Sequence, residues 1–289
     1  MDPRIIQLYD EYTHAPLPRR VFLDRLAKLV GGSAAAAALL PMLEPNYARA
    51  EMIPANDPRL VAERVSYPGA TGSIKAYLAH PKTGNRWPAV IVVHENRGLN
   101  PHIEDVARRA AVAGFLALAP DLLSPVGGTP ADADEARQKI EALDRGKAAA
   151  DCVAAANWLG SHASSTGKVG AVGFCWGGGV INRLAVAAPA PLAAATAFYG
   201  EVPPASDVPK IKAHLLLHYA GLDQRINAGI PEFEKALKAA GVRYSLNTYE
   251  NVNHAFHNDT AGDRYDERAA RQAWQRTIDF FKATLVGGV

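Results

Sequence analysis

From residue 60 onward the apolar positions alternate between short strand-like runs and longer helical stretches. Residues 60–68 (LVAERVSYP) and 72–80 (GSIKAYLAH) alternate apolar with polar, the pattern of two antiparallel strands joined by a Pro-Gly-Ala-Thr-Gly turn. Residues 88–94 (PAVIVVH) are instead continuously apolar and β-branched, which suits a strand buried on both faces. Residues 103–114 show helical spacing that stops at Gly114, and 115–120 form the next short strand. A single helix is predicted over 130–160, a strand over 168–174 and a helix over 176–188. Two buried strands follow at 192–200 and 211–221, then a helix over 230–241 closed by Gly241 and a strand over 242–250. A long amphipathic helix over 263–285 ends the pattern. Strands alternating with helices predict an α/β fold, with a mostly parallel sheet of about eight strands covered by helices on both faces. No internal repeat or low-complexity linker follows residue 51, so residues 51–289 read as one domain of catalytic size.

Residues 1–50 have a different texture. Arg19 and Arg20 precede a weakly apolar, alanine-rich stretch that ends in Ala48-Arg49-Ala50, just before Glu51. This resembles a twin-arginine export signal with a small-residue cleavage site, which would carry the protein to the periplasm. Pro18 and Asp24 depart from that pattern, and the apolar run is too short for a stable membrane span. The other reading is a retained amphipathic helix that packs on the domain of a cytoplasmic protein.

Composition narrows the classes. Hydrophobic residues make up 48% of the chain and charged residues 21%, as in a globular protein with a large core. The net charge of +2 over 289 residues, with no basic block, argues against a nucleic-acid partner. Cys152 and Cys175 provide neither a disulfide framework nor metal-site spacing. Cys152 lies in an alanine-rich helical pattern and reads as a small buried hydrophobe.

Cys175 is different. It stands in AVGFCWGGGV (171–180), between a short apolar strand and a helix that starts in glycines. Gly173-x-Cys175-x-Gly177 has the form of a nucleophile elbow, a strained strand-to-helix turn that lifts its central side chain above the sheet. The flanking glycines are needed where a β-carbon would collide with a neighbouring element, and the helix N-terminus behind the elbow favours an anionic sulfur or oxyanion. With 24 glycines and two cysteines in 289 residues, chance supplies this pattern about 0.014 times per chain. A thiol nucleophile needs a base and a group that orients the base. Asp223 follows one buried strand and His254 follows the last one, in the order nucleophile, acid, histidine that this architecture uses. His257, three residues further on, is a rival base. The run His94-Glu95-Asn96-Arg97-Gly98 begins like a zinc-binding helix, but Gly98 stands where a second histidine is required, so no metal is implied.

Together these motifs resemble the dienelactone hydrolase family of α/β-hydrolases over residues 60–285: Cys175 in GFCWGG, Asp223 in GLD, His254 in NHAF, and Glu95 in VIVVHENRGLN. The resemblance implies a Cys-His-Asp hydrolase of a lactone or small carboxylic ester that needs no cofactor. It implies that Glu95 holds and helps deprotonate the thiol. It also implies an oxyanion hole made of the Trp176 and Asn96 main-chain N–H groups. The two arginines with which the family grips a substrate carboxylate are absent, since Pro125 and Asn258 occupy their places. Arg97 is a candidate replacement cation. A general carboxylesterase or thioesterase, and a non-hydrolytic thiol sensor or ligand-binding protein on the same fold, are the alternatives.

Overall fold

The computed structural model describes residues 1–15, 17–47, 51–187 and 189–287. The small-residue segment Ala48-Arg49-Ala50 lies outside the described residues. Eight strands make one sheet: β1 (Leu60–Pro68), β2 (Ser73–Pro81), β3 (Trp87–Val93), β4 (Leu116–Pro120), β5 (Ser165–Phe174), β6 (Leu192–Phe198), β7 (His214–Ala220) and β8 (Tyr244–Tyr249). Their order is β1-β2-β4-β3-β5-β6-β7-β8. β2 pairs antiparallel with both β1 and β4, and every later pairing is parallel. This is the α/β-hydrolase fold expected from the alternation of elements.

The helices between strands are α4 (Pro101–Val112), α5 (Ala133–Ala142), α6 (Arg145–Ser161), α7 (Trp176–Ala187), α8 (Gln224–Asn227) and α9 (Ile230–Ala240), and α10 (Glu267–Phe281) follows the last strand. Their apolar faces bury two clusters against the sheet. One contains Cys152, Leu159, Ile181, Leu184 and Leu237, and the other Ile103, Val106, Phe256, Ile278 and Phe281. Cys152 is fully buried in α6, where burial pushes its thiol pKa up, as suits a packing role. The single helix predicted over 130–160 is two helices. Leu143 is extended, and the Asp144 carboxylate starts a new helix by accepting from the Gly146 and Lys147 N–H groups.

Ahead of the sheet stand three helices, α1 (Pro3–His14), α2 (Arg19–Val30) and α3 (Ser33–Leu43). No single helix among the described residues is long and apolar enough to cross a membrane, and α2 and α3 meet at a 111° bend. Gly31 permits that bend with a φ of +86°. The three helices have an apolar cluster of their own, centred on Tyr9, Tyr12 and Phe22, with the Tyr12 and Phe22 rings stacked at 4.4 Å. They dock on the remaining fold largely through polar contacts. Tyr12 donates to Asp134 at 2.7 Å, Arg19 pairs with Asp134 at 2.6 Å, and the Arg264 guanidinium lies over the Tyr9 ring.

The tightest backbone approach in this docking is at Gly262, whose φ is +58° and where an added β-carbon would lie 2.2 Å from the Met42 carbonyl oxygen. Gly262→Ala must therefore push α3 away, at a cost of about 1–3 kcal/mol in docking. The expected outcome is faster limited proteolysis within the first 47 residues, with the cooperative unfolding of the sheet domain retained.

Candidate active site

The parallel strands deliver the chemistry at their C-terminal ends. β3 and β5 pair with Val93 opposite Gly173, so Glu95 and Cys175 both lie two residues beyond the same rung. The chain runs from β3 outward to β4 and later returns to β5 on the other side, which makes their common edge a topological switch point where α/β sheets place ligands. At the elbow Cys175 adopts a φ of +55°, and its N–H donates to the Phe198 carbonyl at 3.0 Å. A β-carbon on Gly173 would lie 2.4 Å from the Gly177 carbonyl oxygen, and one on Gly177 would lie 2.3 Å from that of His94. The turn therefore admits only glycine at both places. Trp176 opens α7, so its N–H is one of the donors with no partner inside the helix.

β7 and β8 bring up the second arm. Asp223 caps α8 by accepting from the Ile226 N–H at 3.2 Å. Its other oxygen accepts from His254 Nδ1 at 2.5 Å. With Nδ1 engaged, His254 presents Nε2, which is buried and has no hydrogen-bond partner. An imidazole nitrogen of His254 and the Cys175 sulfur lie within 4.8 Å of one another. The rival His257 is packed among Phe174, Phe198 and Trp274, and burial drives its pKa well below the usual histidine value. It is a neutral core residue, and His254 is the one brought to the thiol.

The β3 loop is held by His94. Its Nε2 accepts from the Leu122 N–H at 3.3 Å, so Nδ1 carries the proton and donates to the Glu95 carbonyl at 2.7 Å. Glu95 itself is tied elsewhere than expected: one carboxylate oxygen accepts from Asn258 Nδ2 at 2.5 Å, the other from the Tyr199 hydroxyl at 3.4 Å. Asn258 is thus an anchor for Glu95, its own carbonyl oxygen accepting from Thr260. Arg97 is buried at 7% exposure, lines the same recess as Cys175 and His254, and pairs with Asp134 at 3.6 Å. Pro125 lies exposed on a short turn, outside the cavity walls.

One residue at the thiol went unnoticed in the sequence. His14, the last residue of α1, places Nε2 3.0 Å from the Cys175 sulfur, and its ring meets that of His254 edge-on at 4.6 Å. Asn96 fixes the end of this helix by donating from Nδ2 to the Thr13 carbonyl at 2.8 Å. His14, Cys175 and His254 are a donor set that a metal could use, and their ligand atoms all lie within 4.8 Å. Yet 3.0 Å between nitrogen and sulfur is a hydrogen-bond distance, shorter than the roughly 3.5 Å between two such ligands on one tetrahedral zinc. The cavity over the cluster is small, about 90 Å³, and is walled by Thr13, His14, Arg145, Glu201 and Arg225 among others.

Comparison with known proteins gives the family. The model of the dienelactone hydrolase family matches residues 74–285, leaving α1–α3 outside the match. The chain is 33% identical to a "Putative carboxymethylenebutenolidase" of Saccharolobus solfataricus, across 76% of this chain and 98% of that one. It is 34% identical to a "Probable 2-oxo-3-(5-oxofuran-2-ylidene)propanoate lactonase" of Bradyrhizobium, across 73% and 90%. Among solved structures, a dienelactone hydrolase-like promiscuous phosphotriesterase from metagenomic libraries superposes with a TM-score of 0.71 at 26% identity, covering 78% of this chain and 99% of the other.

The Asp223–His254 bond carries a pH signature. Burial raises the Asp223 pKa, but the charge and hydrogen bond of His254 outweigh it, so the carboxyl lies below its ordinary value of 3.8. Such a group stabilises the fold above its unfolded pKa and loses that contribution as pH falls through its folded one. Asp223→Asn is expected to cost about 1–3 kcal/mol at pH 7. Urea titrations at matched pH should show the gap to wild type closing as the pH drops below 3.8.

Proposed function

The chain belongs to the dienelactone hydrolase family and is an ester or lactone hydrolase of that kind; from this premise we propose that Cys175 is its nucleophile, served by a Cys175-His254-Asp223 triad. The observation that carries the reading is the elbow thiol facing an imidazole whose Nδ1 is bound to Asp223 at 2.5 Å and whose Nε2 is unpartnered. The thiolate sulfur attacks the substrate carbonyl carbon, and the carbonyl oxygen takes up the charge facing the Trp176 and Asn96 N–H groups. One such donor is worth about 3–4 kcal/mol in the transition state. Collapse of the tetrahedral intermediate breaks the C–O bond to the leaving alkoxide, which takes a proton from an imidazolium and leaves a thioester. In a lactone the leaving alcohol stays tethered, so the ring opens without loss of a fragment. His254 Nε2 then takes a proton from water, whose oxygen attacks the thioester, and the acid product frees the thiolate.

The substrate is a small lactone or carboxylic ester, consistent with the lactonase and carboxymethylenebutenolidase names of the relatives. Arg97, buried beside Glu95, is the cation we assign to its polar end. Residues 51–289 form the catalytic domain in this reading, and residues 1–50 a separate N-terminal segment whose helix α1 ends at the thiol with His14.

The test is turnover of a panel of small lactones, a dienelactone among them, with aryl esters and thioesters. Cys175→Ala is expected to lose at least about 1000-fold in kcat/KM and His254→Gln a similar factor, by the usual cost of removing a nucleophile or its base. Cys152→Ala should stay within about threefold of wild type, as expected away from the reacting atoms. Turnover that survives in Cys175→Ala would remove the thiol from the mechanism. Failure of wild type on every substrate would shift weight to a thiol sensor.

A further inference from the structure

Building on the assignment of Cys175 as nucleophile, we propose that His14 is a catalytic residue: it takes the thiol proton and holds Cys175 as a thiolate, with Asp10 as the group that positions its ring. The site then has two imidazole–carboxylate arms on one sulfur, His254–Asp223 from the sheet and His14–Asp10 from α1. Glu95 is the residue that family resemblance assigns to thiol deprotonation, but its two oxygens are taken by Asn258 and Tyr199. His254 makes no hydrogen bond through Nε2. The imidazole in hydrogen-bond contact with the sulfur is that of His14, at 3.0 Å.

The tautomer follows from the partners. The Thr13 hydroxyl, which donates to the Tyr9 carbonyl, lies 3.0 Å from His14 Nδ1. That nitrogen hydrogen-bonds the Asp10 carbonyl at 2.9 Å and stands 3.0 Å from the Asp10 carboxylate as an ion pair, without a hydrogen bond to that oxygen. Both Asp10 groups are acceptors, so Nδ1 carries a proton and the Nε2 lone pair points at the thiol. Transfer breaks the S–H bond and forms Nε2–H, giving an imidazolium–thiolate pair with no net change in charge. The proton is later delivered to the leaving alkoxide, and His254 stays neutral as the base for water.

The electrostatic surroundings support this assignment. Burial lowers the His14 pKa, while the Cys175 charge, the Asp10 contact and the Cys175 hydrogen bond outweigh it, leaving a net rise, opposed in part by His254. Asp10 is held well below the carboxylate range: burial raises it, and the His14 contact and charge overcome that. Several other charges line the recess around the pair: Glu95, held by Asn258, and Arg97, paired with Asp134, after β3; Arg137 and Glu141, paired with each other on α5; and Arg264, over the Tyr9 ring. Arg225 on α8 reaches Asp10 at 3.3 Å, Arg145 at the start of α6 is neutralised by Glu201, and His254 carries Asp223 behind it. An imidazolium raised in pKa holds the thiolate below that pKa and releases the pair as pH rises through it. His14 therefore matters most at neutral and mildly acidic pH, where an ordinary thiol is protonated.

The experiment is the rate of Cys175 alkylation by iodoacetamide across pH 5–10 in the full chain, with the modified residue located by mass spectrometry, alongside kcat/KM for an aryl ester. His14→Gln should raise the midpoint of the alkylation profile by at least about one pH unit and cut kcat/KM at pH 6 by tenfold or more, a loss that shrinks by pH 9 as the thiol ionises unaided. Asp10→Asn should give the same shift in smaller degree. Tyr12→Phe serves as the control for docking, because it removes an α1 hydrogen bond to Asp134 and leaves the thiol contact alone. An unchanged midpoint in His14→Gln overturns the role of His14, and a rise in Tyr12→Phe smaller than that in His14→Gln supports it. Turnover that persists in Cys175→Ala instead overturns the nucleophile itself, so the two failures are told apart.

Discussion

At Cys175 the backbone is left-handed, a conformation that a residue with a β-carbon holds only where its surroundings enforce it. Here the enforcement comes from both sides. β5 is locked between β3 and β6, and α7 begins one residue later, packed so closely that Gly173 and Gly177 have no room for a side chain. The Phe198 carbonyl receives the Cys175 N–H and fixes the turn from β6. The strain is a local cost borne by the large apolar clusters on either side of the sheet. What it produces is a side chain that cannot lie down against the core. The remaining groups of the site are arranged around that one direction.

Strand registers then decide which loops can reach the sulfur. Because β3, β5, β6, β7 and β8 run parallel, their outgoing loops all emerge at one edge, bringing Glu95, Cys175, Tyr199, Asp223 and His254 together from across 160 residues of chain. Within this set the polar bonds sort the roles. Asn258 and Tyr199 satisfy Glu95, Asp223 satisfies one face of His254, and the other face of His254 is left without a partner in a buried site. A buried unpaired nitrogen is costly, and such costs concentrate where a group is kept for chemistry.

Much of this was legible in the chain. Strand and helix alternation and the glycine spacing at the elbow depend on local pattern, and local pattern survives into the fold. The split between α5 and α6 did not, because alanine-rich flanks mask a boundary that rests on one extended residue, Leu143, and one cap, Asp144. The anchor role of Asn258 depends on a contact across 163 residues. His14 was hidden for another reason. The same stretch of arginines and alanines that resembles an export signal drew attention from Asp10 and His14, an i, i+4 pair on α1 that puts carboxylate and imidazole on one helix face. That spacing was the available clue, but it names no partner, and the partner lies 161 residues away.

The helix that reaches the thiol also covers it. A space of about 90 Å³ is well below the roughly 300 Å³ at which small-molecule sites begin, so a substrate larger than a few heavy atoms enters only as α1 or its neighbours give way. The docking of α1–α3 is suited to that. Their apolar residues are spent on one another, and the seam to the sheet domain is largely polar, with Tyr12–Asp134, Arg19–Asp134, Asn96–Thr13 and Arg225–Asp10 beside the Arg264 contacts to Tyr9 and the Leu43 carbonyl. The exposed pairs among them, Arg19–Asp134 and Arg225–Asp10, are worth at most about 1 kcal/mol each and exchange readily with water. The core clusters under the sheet have no such alternative. Opening at this seam breaks these polar contacts while the core clusters on the sheet stay packed, and what opens takes His14 away from the sulfur that it contacts.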